Sequence, residues 1–217
     1  MGPHVQISEM TAVIPLAPFP PLHWWILALD GAVLDINAPF QKQTHRNRIK
    51  IAGPQGEQRI TFATQSSPIE SVSPLLSAHQ KPQHSWRSIQ TAYGNSPFFE
   101  HFAEDLNALW LGHLPREHED AKPLSDWCWA SIEWVAETCN WPLPSQASCA
   151  PAFQDSELDL REKRRLSGHG WTFHRYPQLF ESKFGFIPGC SVLDAFFVLG
   201  PHELSRCLKE LVSLDKS

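Results

Sequence analysis

The residues best suited to chemistry lie in Phe40-Gln41-Lys42-Gln43-Thr44-His45-Arg46-Asn47-Arg48-Ile49-Lys50. Four cationic side chains and several amides crowd into these eleven residues of a chain whose formal charge is −5. Read as a strand from Arg46, the stretch alternates faces. Arg46, Arg48 and Lys50 then share one side, with Asn47, Ile49 and Ile51 on the other. Same-face neighbours on a strand stand about 6.5–7 Å apart. That spacing suits a diphosphate, or two separate anionic groups, held by charge-assisted hydrogen bonds. The same pattern also describes a solvated strand face carrying ordinary surface charge. A third reading is structural, with the arginines paired to Asp35 and Glu70.

Other groups are candidates by type and place. Asp35 closes a predicted strand just before the basic stretch, where a carboxylate either pairs with arginine or acts as a base. His23 follows a proline-rich bend beside Trp24 and Trp25, two indoles that either wall a pocket or pack. Trp86 and Tyr93 fall on one side of a predicted helix and carry the same two readings. Recognisable nucleophile elbows, phosphate loops, dinucleotide-binding glycine motifs and HExxH are all absent. His113 with His118, or His169 with His174, would serve a metal, but eleven histidines make chance pairs common. No metal or cofactor is therefore expected. The five cysteines, Cys128, Cys139, Cys149, Cys190 and Cys207, form no CxxC pair. Free thiols in a reducing compartment account for them.

The 217 residues suit one domain with a sizeable core, rich in Trp and Phe. The acidic balance excludes the basic footprint of a general nucleic-acid binder. Apolar runs stay short of the roughly 18 residues that span a membrane, and the first residues lack a signal-peptide pattern. The expected location is cytoplasmic.

These groups need elements to position them. Thr11 to Leu16 reads as a short strand. Pro21 opens a helix through His23 and Trp24 to about Leu29. Asp30-Gly31 marks a turn, and Ala32 to Ile36 a strand. The basic stretch runs into Gly53-Pro54-Gln55-Gly56, and Gln58 to Ala63 returns as the second arm of a β-hairpin. Ile69 to Val72 adds a short strand, and 73–83 reads as a loop. Helices follow over Gln83–Tyr93, from Ser96-Pro97 through Trp110, and over 124–139. Residues 140–157 lack pattern, and the charged run Glu157–Leu166 suggests an exposed helix. Ser191 to Leu199 is apolar all round, as a buried helix is, with Ser191 and Asp194 as a capping pair. Gly200-Pro201 starts the last helix. The expected fold is α+β (mixed α/β). In it a small N-terminal sheet with a β-hairpin is packed by C-terminal helices, as one domain over 11–213.

Several segments carry a family likeness in collinear order over about residues 11–202. They begin with Phe19-Pro20-Pro21-Leu22-His23-Trp24-Trp25, then Lys42-Gln43-Thr44-His45-Arg46-Asn47-Arg48 and Thr61-Phe62-Ala63. Ser85-Trp86-Arg87 and Ala92-Tyr93-Gly94-Asn95-Ser96-Pro97-Phe98-Phe99 follow. Tyr176-Pro177-Gln178-Leu179-Phe180, Ser191 through Phe197, and Gly200-Pro201 close the series. Together they resemble the WbqC-like protein family, particularly its short form. His45 replaces the family's usual tyrosine, and Val198-Leu199 precede Gly200 where an asparagine is common. Longer members carry an extra segment where this chain has only 155–175.

The resemblance implies a cytoplasmic protein tied to bacterial surface-polysaccharide (O-antigen) genes, and it names no reaction. The function it suggests is a transferase acting on a nucleotide-linked sugar, moving an acyl or aminoacyl group onto an amino sugar. Lys42, Arg46 and Arg48 would neutralise the diphosphate. Asn47 and Gln178 would orient polar groups, Trp24 or Trp86 would stack on a ring, and Tyr93 would line the substrate. His23 or Asp35 would take the proton from the attacking amine. The alternative is a non-catalytic binding or scaffold protein of the same pathway. The partner expected is a small anionic substrate, with neither nucleic acid nor membrane.

Overall fold

The computed structural model describes residues 12–66, 73–77, 81–116, 119–147, 159–161 and 174–214. In chain order these form β1 (Val13–Pro15), α1 (Leu22–Leu29), β2 (Val33–Asp35), β3 (Arg48–Gly53), β4 (Gly56–Thr61), β5 (Thr64–Gln65) and β6 (Leu75–Leu76). Then come α2 (Pro82–Tyr93), α3 (Phe99–His113), α4 (Leu124–Cys139), β7 (Ser145–Ala147), α5 (Glu181–Phe184) and α6 (Val192–Leu214). The class is mixed α+β, as expected.

Prolines 18, 20 and 21 stop β1 and start α1. The first helical N–H groups have no intrahelical partner, so proline at the entry costs no bond. Pro21 instead offers its carbonyl to the N–H groups of Trp24 and Trp25. The α1 crossover returns the chain as β2, parallel to β1, with Val13 opposite Val33 and Pro15 opposite Asp35. A parallel neighbour requires such a crossover. On its other side β2 pairs in parallel with β7. On the far side of β1, Val13 bridges Asp159 in parallel, and Leu160 N–H donates to the Val13 carbonyl at 2.9 Å. The carboxyl ends of these stretches therefore lie at one edge.

The hairpin forms as its turn residues predict. β3 and β4 pair antiparallel from Arg48–Thr61 to Gly53–Gly56. Gly56 holds a φ of 94°, a backbone region that favours glycine. Ile49, Ile51 and Ile60 are buried on one face of the pair.

Helices α2, α3, α4 and α6 surround a core in which Phe19 stacks on Trp110 and meets Trp127 edge-on. Phe62 closes the same cluster. Burying one such indole removes roughly 200 Å² from water, worth about 5 kcal/mol before entropy is counted. α4 matches its apolar periodicity, and Asn140 ends it in the left-handed region at φ 53°. α6 contains a break at Gly200, with Pro201 opening its second part.

Five expectations change. Ser96 does not cap α3: its hydroxyl donates to the Tyr93 carbonyl, and Phe98 N–H pairs with the Phe197 carbonyl, so the helix begins at Phe99. Asp194 does not cap α6, because other donors take its carboxylate. Residues 145–147 form β7 rather than loop, and 75–76 form β6. At 159–161 the charged run is not an exposed helix; it is buried beside β1. The strand expected at Ile69–Val72 lies outside the described residues.

Candidate functional site: a cationic hairpin pocket beside a carboxyl-edge cleft

Residues 41–47 form turns rather than the start of a strand. The Thr44 hydroxyl donates to the Gln41 carbonyl and accepts from Arg46 N–H. Asn47 accepts from Gln43 N–H at 3.1 Å and donates to the Phe62 carbonyl at 3.2 Å. Such local side-chain bonds compete with strand pairing. Gln43 accordingly sits at φ 63°. Alternation starts only at Arg48, so the expected common face of Arg46 with Arg48 and Lys50 does not form. Arg46 turns inward, 4% exposed. Its guanidinium donates to the carbonyls of Ala38 (2.8 Å), Pro39 (2.5 Å) and Arg161 (3.4 Å). Burial brings its pKa down to about 10, with the Asp35 charge opposing.

Arg48 and Lys50 do share a face, and the register puts Arg59 directly opposite Lys50. With Gln43, Thr44, His45 and Ile49 they line a pocket of about 150 Å³. Like charges facing across a strand pair are destabilising. Glu57 offsets part of that, 3.4 Å from Lys50 and 2.5 Å from Arg59. Lys50 also donates to the Pro188 carbonyl at 3.0 Å. Arg48 has no ion-pair partner among the described residues, and its Nε is buried without a hydrogen bond. His45 lies among these cations with its pKa lowered to about 4, first by burial, then by Lys50 and Arg59, with Glu57 opposing. Its ring meets that of His23 edge-on, centroids 6.4 Å apart. His23 itself is buried.

A second cavity, about 370 Å³, opens at the carboxyl edge of the parallel strands. Ligands of open α/β sheets bind in this position. Leu16 follows β1, Asp35 ends β2, and Ile36 and Asn37 follow it. Phe40 and Arg46 come from the turn segment, and Leu124, Ser125 and Cys128 from the start of α4. Asp35 is buried and paired, with Arg161 Nη1 at 3.0 Å and Asn37 N–H at 3.0 Å. Arg161 also clasps Asp159, 2.7 Å from Nη2. The two carboxylates hold the Arg161 guanidinium above its ordinary value, with Asp159 the larger cause. Asp35 thus pairs with Arg161, not with Arg46 or Arg48; Glu70 lies outside the described residues. Burial pushes the Cys128 thiol well up.

The family model for the WbqC-like protein family matches residues 16–161, which take in both pockets. The chain belongs to the WbqC-like protein family. No curated protein and no solved structure matches it. In this WbqC-like chain, no helix among the described residues is long and apolar enough to cross a membrane.

The remaining residues singled out in the WbqC-like sequence lie apart from the two pockets. Lys42 is exposed. Trp86 stacks on Phe99, centroids 6.0 Å apart, within the core. Trp24 is fully buried and donates from its indole to the Pro15 carbonyl. The Tyr93 hydroxyl donates to Asp194 Oδ1 at 2.9 Å. Tyr176 and Gln178 Nε2 reach Asp194 Oδ2 at 2.9 and 2.7 Å. Gln178 also spans the Ile187 backbone, accepting from its N–H and donating to its carbonyl. This buried quartet ties the 176–190 segment to α6. The structure thus gathers Arg48 with Lys50, Arg59 and His45, and Asp35 with Arg46, in two neighbouring cavities. Sequence reasoning missed Arg59, although the hairpin turn implies its register against Lys50. Arg161 carries no such local signal.

Proposed function

We propose that this WbqC-like protein is a transferase for an activated, nucleotide-linked sugar in bacterial surface-polysaccharide biosynthesis, with the diphosphate held at the hairpin pocket. The observation that carries this reading is the pocket's charge. Among the described residues the one carboxylate paired with any of Arg48, Lys50 and Arg59 is Glu57, which leaves two positive charges for a diphosphate with two negative ones. Charge developing on such a group is stabilised by preorganised cations. The adjoining cleft, with Asp35 at its floor, would take the acyl or aminoacyl group and the amine of the sugar. The second reading is a binding protein without turnover. It is favoured by the full pairing of Asp35 and by the raised thiol of Cys128.

A thermal-shift series with nucleotide sugars, free nucleotides and acyl-CoA compounds tests the site. At about 100 times Kd a ligand adds about 2.7 kcal/mol, or roughly 5–10 °C for a domain of this size. The shift is expected with nucleotide sugars and lost in Arg48→Ala/Arg59→Ala. A shift retained in that double variant overturns the assignment. Turnover by the purified protein separates the two readings.

A further inference from the structure

We propose that an anion bound in the hairpin pocket draws one proton from solvent onto His45, turning its imidazole into a hydrogen-bond donor to that anion. This rests on the anion-binding reading of the pocket. His45 lines the cavity with Gln43, Arg48, Lys50 and Arg59. The charged and titratable groups facing its ring are Arg48 and Lys50 on β3, Arg59 and Glu57 on β4, and His23 on α1.

Without a counter-anion, burial and the charges of Lys50 and Arg59 keep the ring neutral. A bound dianion changes both causes at once. It offsets the field of the two cations, and its oxygens replace the water that burial removed, as acceptors for a ring N–H. Imidazole becomes imidazolium and the anion keeps its charge. A dianion gains more from this than a monoanionic carboxylate, so the device favours phosphate-type groups. Affinity then rises as pH falls from neutrality toward about 4, the value for the ring without ligand. The limiting slope is about tenfold per pH unit for one proton.

The experiment is calorimetric titration of the full chain with sulfate at pH 6, repeated in two buffers of different ionisation heat. Sulfate does not titrate there, so buffer-dependent heat reports protons taken up by the protein. Uptake is expected in the wild type, absent in His45→Gln, and retained in Glu57→Gln. The histidine ring resonances of the wild type, recorded by NMR with and without sulfate, provide a readout that needs no variant. One ring is expected to move to the protonated position on binding. Sulfate binding without uptake overturns this proposal and leaves the pocket standing. Uptake that persists in His45→Gln, or is lost only in Glu57→Gln, also overturns it. No binding of sulfate or of UDP overturns the anion-pocket reading and this proposal with it.

Discussion

Asp194 shows how much one buried carboxylate organises. It accepts from Tyr93 at the end of α2 and from Tyr176 and Gln178 in the segment before α5, two distant parts of the chain. Removing it leaves buried donors without an acceptor, each costing about 1–3 kcal/mol. Asp194→Ala is expected to lower unfolding free energy by about 3–4 kcal/mol, read by urea denaturation. Tyr93→Phe should cost only about 1 kcal/mol, since it deletes a donor and strands no buried carboxylate. Burial raises the Asp194 carboxyl above its ordinary value, against the pull of its hydrogen bonds from Tyr176, Tyr93, Gln178 and the Ala52 backbone. A group raised in the folded state contributes stability below its unfolded value of about 3.9, and this is lost as pH rises through the folded value. The wild type's margin over Asp194→Asn should therefore be largest at acid pH and shrink toward neutrality. A margin that grows with pH contradicts this. At this scale the sequence was legible where side chains alternate, as at Arg48 and Lys50. It was not legible at Arg46, because Thr44 and Asn47 bond to nearby backbone and turn that residue inward.

Elements were most legible where punctuation residues stand alone. The hairpin turn, the proline entry to α1 and the break at Gly200 all form where their residue types require. Gly200 makes the point quantitatively. Its φ of 76° and ψ of 165° lie in a region essentially restricted to glycine. A Cβ there would sit 2.6 Å from the Phe98 ring. Gly200→Ala is expected to cost about 2–4 kcal/mol and to lower the melting temperature accordingly. An unchanged melting temperature would mean that the two parts of α6 can realign. By contrast β7 was unreadable. Ser145-Gln146-Ala147 carries no apolar alternation, and it is a strand only because β2 offers it a backbone edge.

For the whole molecule, the sheet was the least legible part. Its strands are three residues long, and their order depends on contacts between distant segments. Arg161 links those segments through Asp159 and Asp35, while its own carbonyl receives Arg46. Arg161→Ala strands two buried carboxylates, and losing one partner of a buried pair typically costs about 3–5 kcal/mol. Adding Asp35→Asn and Asp159→Asn to that background should restore much of the loss, because neither buried side chain is then a carboxylate that has lost its guanidinium. Denaturation midpoints of the single and triple variants read this directly.

The pairing of Val13 with Asp159 also bears on how the chain is made. At roughly 5–20 residues per second, the stretch between them takes about 7–30 s to synthesise. Through that interval, among the described residues, β1 has β2 on one side and no partner for its other backbone edge. Open edges of this kind pair readily with other chains. β1 spans only Val13–Pro15 and ends in proline, so it offers a nascent neighbour very little edge to join.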